Sequence, residues 1–239
     1  ATGLRSLTVS VPFSYALDDR SLSACGTICV EGRVLLAEAR AVTSRKLYVK
    51  VMPEITVTGY RAVKRRIACG VQDGAAICTR RQKLELSLLT AVSEKGFSFT
   101  DDVLLDNGCT PEDILLHRVC PTILSAQRLG NKLMVKGEMQ LCVLYRDDGQ
   151  TLRQYDAALP FSQILDVAEL PEDAEYTLCP QIGECDIRVM RTDSGSGFGL
   201  TARVDISLLA YQSRTIIYIE DLYSTRFDTV LERQNITIP

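Results

Sequence analysis

The chain has 239 residues, of which 46% are hydrophobic and 24% charged, an ordinary globular composition that is large enough to bury a core. Its 27 basic and 30 acidic side chains give a formal net charge of −3, so no basic excess exists to attract nucleic acid or an anionic membrane. No apolar run approaches the roughly 20 residues of a membrane-spanning helix, and we expect neither a membrane span nor a nucleic-acid partner.

The first thirty residues do not resemble a signal peptide. They alternate polar and apolar side chains and contain the acidic pair Asp18 and Asp19. A signal peptide has a basic start, a continuous apolar run and small residues at its cleavage site. We therefore expect no export signal and synthesis in the cytoplasm.

Apolar and polar residues alternate with a period of two along much of the chain, as in 7–11, 83–88 and 203–208. This alternation is typical of half-buried strands. Turn signals at 146–149 and 194–197 separate such runs. The pattern predicts an all-β fold of antiparallel, β-sandwich-like units, and it argues against a parallel sheet with helical crossovers.

One short helix is predicted near 111–118. Thr110 is a suitable N-cap, Pro111 suits the first helical position, and Asp113 would lie near the positive end of the helix. Ile114 and its neighbours would then anchor the helix against the sheet.

An internal repeat is the most informative feature of the sequence. Residues 11–18 (VPFSYALD) match residues 159–166 (LPFSQILD) at an offset of 148, with five of the eight residues identical. Residues 97–145 have no counterpart before the first copy. We therefore predict that residues 1–92 are a partial unit, equivalent to the second half of a repeat, and that residues 93–239 are a complete unit.

The repeat extends to three related strand pairs. Residues 46–60 resemble residues 132–145 and, more weakly, residues 198–211. In the repeated Pro-Phe-Ser motif, we expect proline to edge or end a strand, phenylalanine to enter the core and serine to start a turn. We assign architectural roles to the repeated residues, which are Pro12, Phe13, Ser14, Pro160, Phe161, Ser162, Tyr60, Tyr145 and Tyr211.

Nine cysteines cannot all pair within one chain. Most are expected to be small buried hydrophobic residues, and the alternative is oxidative cross-linking in an assembly. The candidates for intermolecular disulfides are Cys25, Cys29, Cys109 and Cys179. No Cys-x-x-Cys motif occurs, so no structural zinc is expected.

The sequence offers few catalytic residues. His117 is the only histidine, and a packed or surface role is expected for it. The pairs Asp101–Asp102 and Asp147–Asp148 are not expected to act as paired catalytic acids, because adjacent strand residues point to opposite faces. They are interpreted as solvated turn residues. The glycine-rich segment 194–199 is interpreted as a hairpin turn rather than a phosphate-binding loop. We expect no enzyme, cofactor or metal.

Six short motifs in order resemble the SPOCS domain, a family of SipL-like spore coat and spore envelope assembly proteins. The resemblance covers residues 97–230 as a complete copy and residues 1–92 as a partial copy, and no LysM module is expected after Thr225. The motifs are 99–103 (FTDDV), 111–115 (PEDIL), 131–138 (NKLMVKGE), 143–145 (VLY), 159–162 (LPFS) and 220–225 (EDLYST).

The resemblance implies a structural or interaction protein of the spore envelope, located in the coat, exosporium or an appendage and made in the mother-cell cytoplasm. Its expected partners are other spore-envelope proteins or copies of itself, in a homo-oligomer or filament in which a second copy completes the half-unit. The alternative is a carbohydrate- or peptidoglycan-binding β-sandwich module, although the chain has nine tyrosines but no tryptophan for an aromatic platform.

Overall fold

The computed structural model describes residues 9, 11–72, 76–105, 109–168, 170–226, 228–230 and 232. Within these ranges a single turn of 3-10 helix at Leu22–Ala24 precedes eight strands. The prediction of an all-β fold is confirmed. The strands are β1 (Thr27–Thr43), β2 (Lys46–Tyr60), β3 (Ile77–Leu104), β4 (Pro111–Leu129), β5 (Lys132–Asp147), β6 (Leu152–Asp166), β7 (Glu175–Thr192) and β8 (Gly195–Ser224).

The predicted helix near 111–118 is wrong, because these residues begin strand β4. Strand β4 is an edge strand, and a proline at its first position, Pro111, costs no hydrogen bond inside the sheet. Asp113 lies opposite Arg146 of β5 and accepts a hydrogen bond from it at 3.0 Å. Pairing with β5 thus overrides the local capping signals, which are only a weak preference for helix.

The strands form a two-stranded sheet (β1-β2) and two three-stranded sheets (β4-β5-β6 and β3-β8-β7). The chain divides into two compact units, the first containing Leu84–Ile216 and the second containing Pro12–Lys83 and the segment from Ile217. The units are defined by their contacts and not by their likeness to each other. The division into a partial copy 1–92 and a complete copy 93–239 therefore stays a prediction.

The core of the first unit lies between the central strands of its two sheets. Every second residue of β5 from Leu133 to Tyr145 faces inward, as does every second residue of β8 from Phe198 to Ala210. The rings of Tyr145 and Phe198 meet edge to face, with centroids 5.2 Å apart. The two sheets share one hydrophobic cluster and form a β-sandwich.

The three segments that resemble one another in sequence were predicted to be strand pairs, but each is one continuous strand of an antiparallel hairpin. The hairpins β1–β2, β4–β5 and β7–β8 are each connected by two residues, at 44–45, 130–131 and 193–194. Gly130 supplies the positive φ (59°) of the second connection. The repeat therefore corresponds to a recurring hairpin.

Candidate functional site

Hairpin β1–β2 carries one side made only of uncharged, almost entirely aliphatic residues. Side chains alternate along a strand, and directly opposite residues of paired strands share one side of the sheet. We call this side the apolar face. It consists of Leu47, Val49, Val51, Pro53, Ile55 and Val57 on β2, lying opposite Ala41, Ala39, Ala37, Val34, Gly32 and Val30 on β1.

The other side of the same hairpin carries its charged residues, together with one apolar pair, Leu36 opposite Met52. Arg33 and Glu54 lie opposite each other and form an ion pair. Arg40 lies over the ring of Tyr48, with its guanidinium carbon 4.8 Å from the ring centroid. Because this side already has polar groups that suit contact with water, the two faces of the hairpin have opposite chemistry.

The apolar face is exposed. Val49 is 62% exposed and Val51 is 53% exposed, and on β1 Val34 is 63% exposed. Single exposed aliphatic residues are normal, but a contiguous apolar patch of this kind marks an interaction surface. The sequence analysis predicted strand structure within 46–60 but not the exposure of this apolar side.

The equivalent positions in hairpin β7–β8 are buried. Counted from the turn, Val49 and Val51 of β2 correspond to Phe198 and Leu200 of β8. Counted back from Tyr60 and from Tyr211, Ile55 corresponds to Ile206 and Val57 to Leu208. These four residues of β8 are inaccessible to solvent and belong to the cluster that β5 shares. Similar strand faces thus differ in whether a second sheet covers them.

The two copies of the Pro-Phe-Ser motif have different surroundings. Phe161 lies within β6, is only 7% exposed and packs against Phe97 with centroids 5.4 Å apart. Its ring occupies the space beside Gly137, the residue opposite it on β5. Ser162 continues the strand and does not start a turn. Pro160 lies on β6, the outer strand of its sheet, where a proline is tolerated.

The first copy of the motif, Pro12 to Ser14, lies in a segment without strand structure, and Phe13 is 68% exposed. The phenylalanines of the two copies of the motif therefore differ in burial.

The three repeated tyrosines occupy similar positions in the three hairpins. Tyr60 pairs with Thr27 and Tyr211 pairs with Glu175, at the first residues of β1 and β7. Tyr145 pairs with Ile114 near the start of β4 and is fully buried. The structure spreads the tyrosines over separate hairpins and does not bring them into one site.

None of the nine cysteines, all within the described ranges, belongs to a disulfide bond inside the chain. The four candidates for intermolecular pairing, Cys25, Cys29, Cys109 and Cys179, are partly buried. Cys69 and Cys78 are the exposed cysteines, and the sequence analysis did not single them out. Cys142 lies opposite Asp156, whose hydrogen bond raises the pKa of its thiol. Intermolecular cross-linking stays a prediction.

Asp147 is not the solvated turn residue that the sequence suggested, because it is buried at the end of β5. The Arg153 Nε donates to its carboxylate at 2.6 Å, and the backbone N–H of Thr151 donates at 2.7 Å. These hydrogen bonds, with that from Arg153 first, lower the pKa of Asp147. Asp147 anchors the β5–β6 connection.

Among the residues that the structure describes, the remaining polar groups do not form a recognisable catalytic arrangement. His117 is exposed on β4, opposite Val143. A groove of about 560 Å³ in the first unit is lined by residues of mixed charge, without histidine or cysteine. Across the described part of the chain, no three His, Cys, Asp or Glu side chains converge as metal ligands would. The lining residues of the groove are Ser93, Glu94, Lys95, Lys132, Ile164, Leu165 and Asp166.

No helix among the described residues has the length and hydrophobicity required to cross a membrane.

Comparison with known proteins identifies one family. The family model described as SipL, SPOCS domain, matches residues 110–190, about a third of the chain, which contain β4, β5, β6 and most of β7. No curated protein and no solved structure matches the chain significantly. The match indicates a sporulation-related role. The predicted resemblance to the SipL-like SPOCS domain family is therefore confirmed, for residues 110–190.

Proposed function

We propose that the chain is a structural or interaction protein of the bacterial spore envelope, located in the coat, the exosporium or an appendage. In this role it acts by protein–protein contact, through self-association or as a scaffold, without catalysis or a cofactor. The observation that carries the proposal is the SPOCS-domain match at residues 110–190. That segment builds a whole sheet of the sandwich, so the likeness extends over a folded layer rather than one loop.

The surface of the second unit supports a role in assembly. Hairpin β1–β2 exposes an apolar face on one side and polar pairs on the other. A large exposed apolar patch on a folded protein is typical of a protein-interaction site. The shallow mixed-charge groove of the first unit offers no comparable feature for a small substrate.

The test of the proposed function is the location of the protein during sporulation. A fluorescent fusion, expressed from the native promoter, is expected to accumulate around the forespore after sporulation begins and to remain with purified spores. The fluorescent protein alone, expressed from the same promoter, is the control and should stay diffuse. A fusion that stays diffuse and never reaches the forespore would overturn the proposal.

The carbohydrate-binding alternative is distinguished by a binding experiment. Purified protein is incubated with spore cortex and cell-wall peptidoglycan, and the bound fraction is measured against increasing soluble fragments. The proposal expects no saturable, competed binding, because assembly acts through protein surfaces. Saturable binding that soluble glycan removes would instead favour a carbohydrate-binding module.

A further inference from the structure

We propose that an exposed basic surface of the second unit binds an acidic segment of the first unit in another copy of the chain. This contact rests on the proposed function and deepens it, because it names the two surfaces and the partner of self-association. The motivating observation is an uneven distribution of charge along the chain, which the formal net charge of −3 conceals.

The two units carry opposite formal charges. The first unit, Ala1–Val11 with Leu84–Ile216, contains 12 basic and 20 acidic residues, a formal charge of −8. The second unit, Pro12–Lys83 with the residues from Ile217, contains 15 basic and 10 acidic residues, a formal charge of +5. Copies of the chain can therefore attract one another unit to unit, although whole copies carry charge of the same sign.

Two short segments concentrate the positive charge of the second unit. Residues 61–66 (RAVKRR) and 80–83 (RRQK) contain seven basic residues and no acidic residue. All seven basic residues are exposed. We call them the basic surface, which consists of Arg61, Lys64, Arg65, Arg66, Arg80, Arg81 and Lys83.

The end of strand β8 brings the two segments together. The backbone N–H of Ile219 donates to the carbonyl oxygen of Ala68 at 2.8 Å, two residues after the first segment. Strand β8 also pairs with β3, and Arg80 of β3 forms an ion pair of 2.8 Å with Glu220. Adjacent strands lie about 4.8 Å apart, so the chain at Ala68 and strand β3 lie within about 10 Å of each other.

Carboxylates neutralise only part of the basic surface. Glu220 and Asp221 are the acidic residues of β8 beside it, and they leave a local charge of +5. In the part of the chain that the structure describes, Arg65 and Arg66 take part in no ion pair. Concentrated charge of one sign on a folded surface raises the local concentration of an anionic partner.

The first unit presents a segment of the opposite charge. Residues 166–175 (DVAELPEDAE) connect β6 to β7 and contain five acidic residues and no basic residue. Glu172 and Glu175 are exposed in this connection. We call residues 166–175 the acidic segment.

Hydrogen bonds from other strands hold the acidic segment in place. Arg128 of β4 donates to the carbonyl oxygens of Leu170 at 2.9 Å and Pro171 at 2.6 Å. Gln212 of β8 donates to the carboxylate of Asp173 at 2.8 Å. A segment that is already ordered loses little conformational entropy on binding. The acidic segment is therefore prepared for a contact between copies.

A second copy fits the basic surface better than a nucleic acid or an anionic membrane does. A long polyanion would meet a molecule of net charge −3 whose first unit carries −8, and this repulsion offsets the local attraction. A second copy offers its carboxylates on one compact segment. Because the two surfaces differ, the contact is head to tail and joins copies into a ring or a filament.

The first experiment measures the mass of the full chain by size-exclusion chromatography with light scattering, in reductant and over a range of concentrations. The chain is expected to associate in about 50 mM salt. The association should weaken at least tenfold in about 500 mM salt, because the Debye length falls from about 14 Å to about 4 Å. A chain that is monomeric at every concentration in low salt would overturn the proposal.

Charge reversal tests the basic surface. The double variant Arg65→Glu with Arg66→Glu is expected to weaken the association in low salt at least tenfold. The matched control is Arg45→Glu with Lys46→Glu at the β1–β2 turn, which changes the net charge by the same amount and should leave the association intact. Circular dichroism checks that both variants are folded. Unchanged association of the first variant, or equal weakening by the control, would contradict the proposal.

A mixing experiment tests both surfaces together. The double variant Glu172→Lys with Glu175→Lys is also expected to lose association when it is alone. An equimolar mixture with the Arg65→Glu and Arg66→Glu variant should associate again, because each reversed surface then meets a surface of opposite charge. Misfolding or a general effect of net charge cannot produce this recovery. A mixture that stays monomeric would overturn the pairing of these two surfaces.

Other occupants of the basic surface are tested in the same low-salt buffer. The probes are a fluorescent DNA duplex and vesicles that contain phosphatidylglycerol. Neither is expected to compete with association of the chain. Binding of either probe that displaces the second copy and is lost on reversal of Arg65 and Arg66 would overturn the proposal.

The two proposals fail separately. A monomeric chain that still collects at the forespore would contradict the contact between copies and leave the spore-envelope role standing. A chain that associates but never reaches the forespore would contradict the spore-envelope role.

Discussion

At the scale of single residues, Phe13 and Phe161 show how one motif yields two environments. Both follow a proline and precede a serine in the repeated segment. Phe161 lies opposite Gly137 of β5, and its ring fills the space that a side chain at Gly137 would otherwise occupy. A sequence motif therefore specifies a packing position only together with the strand that receives it.

Truncation of the two phenylalanines should affect stability very differently. Phe161→Ala removes a buried ring and is expected to lower the free energy of unfolding by about 3 kcal/mol. Phe13→Ala is the matched control and should change it by no more than about 0.5 kcal/mol, because its ring is exposed. Chemical denaturation followed by circular dichroism measures both. Equal losses would show that Phe13 is packed in the folded chain.

Asp147 gives the chain a defined acid sensitivity. Its pKa in the folded state is lowered from 3.8, first by the hydrogen bond from Arg153. A group with a lowered folded pKa contributes stability that is fully present above the unfolded value and is lost as the pH falls through the folded value. The contribution of Asp147 is therefore present at neutral pH and disappears below about pH 3.8.

Replacement of this carboxylate should remove part of that sensitivity. Asp147→Asn is expected to lower the unfolding temperature at about pH 7 and to reduce the further loss of stability as the pH falls below 3.8. Asp148→Asn, at an exposed turn position beside it, is the control and should behave like the wild type. An Asp147→Asn variant with unchanged stability at neutral pH would contradict the role of Asp147 as an anchor.

At the scale of elements, the strand-rich character of the chain was predictable from the sequence, but the structure of one segment was not. Period-two alternation correctly indicated an all-β chain, whereas the hairpin turn expected at 194–199 lies at 193–194, and residues 195–199 already belong to β8. Segment 111–118 was misassigned because Thr110 and Pro111 carry local helix signals, whereas the reason for a strand lies across the sheet in β5. Local sequence cannot display that partner.

The glycines after the 193–194 turn show the same limit. Gly195 has a φ of 146° and starts strand β8, whereas Gly197 lies within the strand. A side chain at Gly197 would collide with the backbone of Val103 on β3. Glycine at this position reflects a close approach of two strands rather than a flexible turn.

Substitution of these glycines tests that explanation. Gly197→Ala is expected to destabilise the first unit by about 1–3 kcal/mol, since the obstacle is backbone and cannot move aside. Gly183→Ala, where the nearest neighbour would be the Arg203 carbonyl at an ordinary 3.7 Å, is the matched control and should be tolerated. Thermal unfolding measures both variants. A well-tolerated Gly197→Ala would show that β3 and β8 are less closely packed than described.

At the scale of the whole molecule, the offsets in the sequence point to the repeated hairpins. They do not show which hairpin is covered by a second sheet. Val49 and Phe198 are equivalent, because each is the fourth residue after its two-residue turn. Their opposite burial depends on the position of a second sheet, which no periodicity reports. The apolar face can therefore be recognised only in the folded structure.

The composition of the apolar face also sets the conditions under which contacts through it form. Since it carries no charge, those contacts depend on the release of water from aliphatic surface and not on ion pairing. Such contacts weaken on cooling, strengthen in sulfate or phosphate salts and respond little to the screening of charge. A protein joined through this surface would come apart in the cold and hold together at high salt, the reverse of an assembly built on salt bridges.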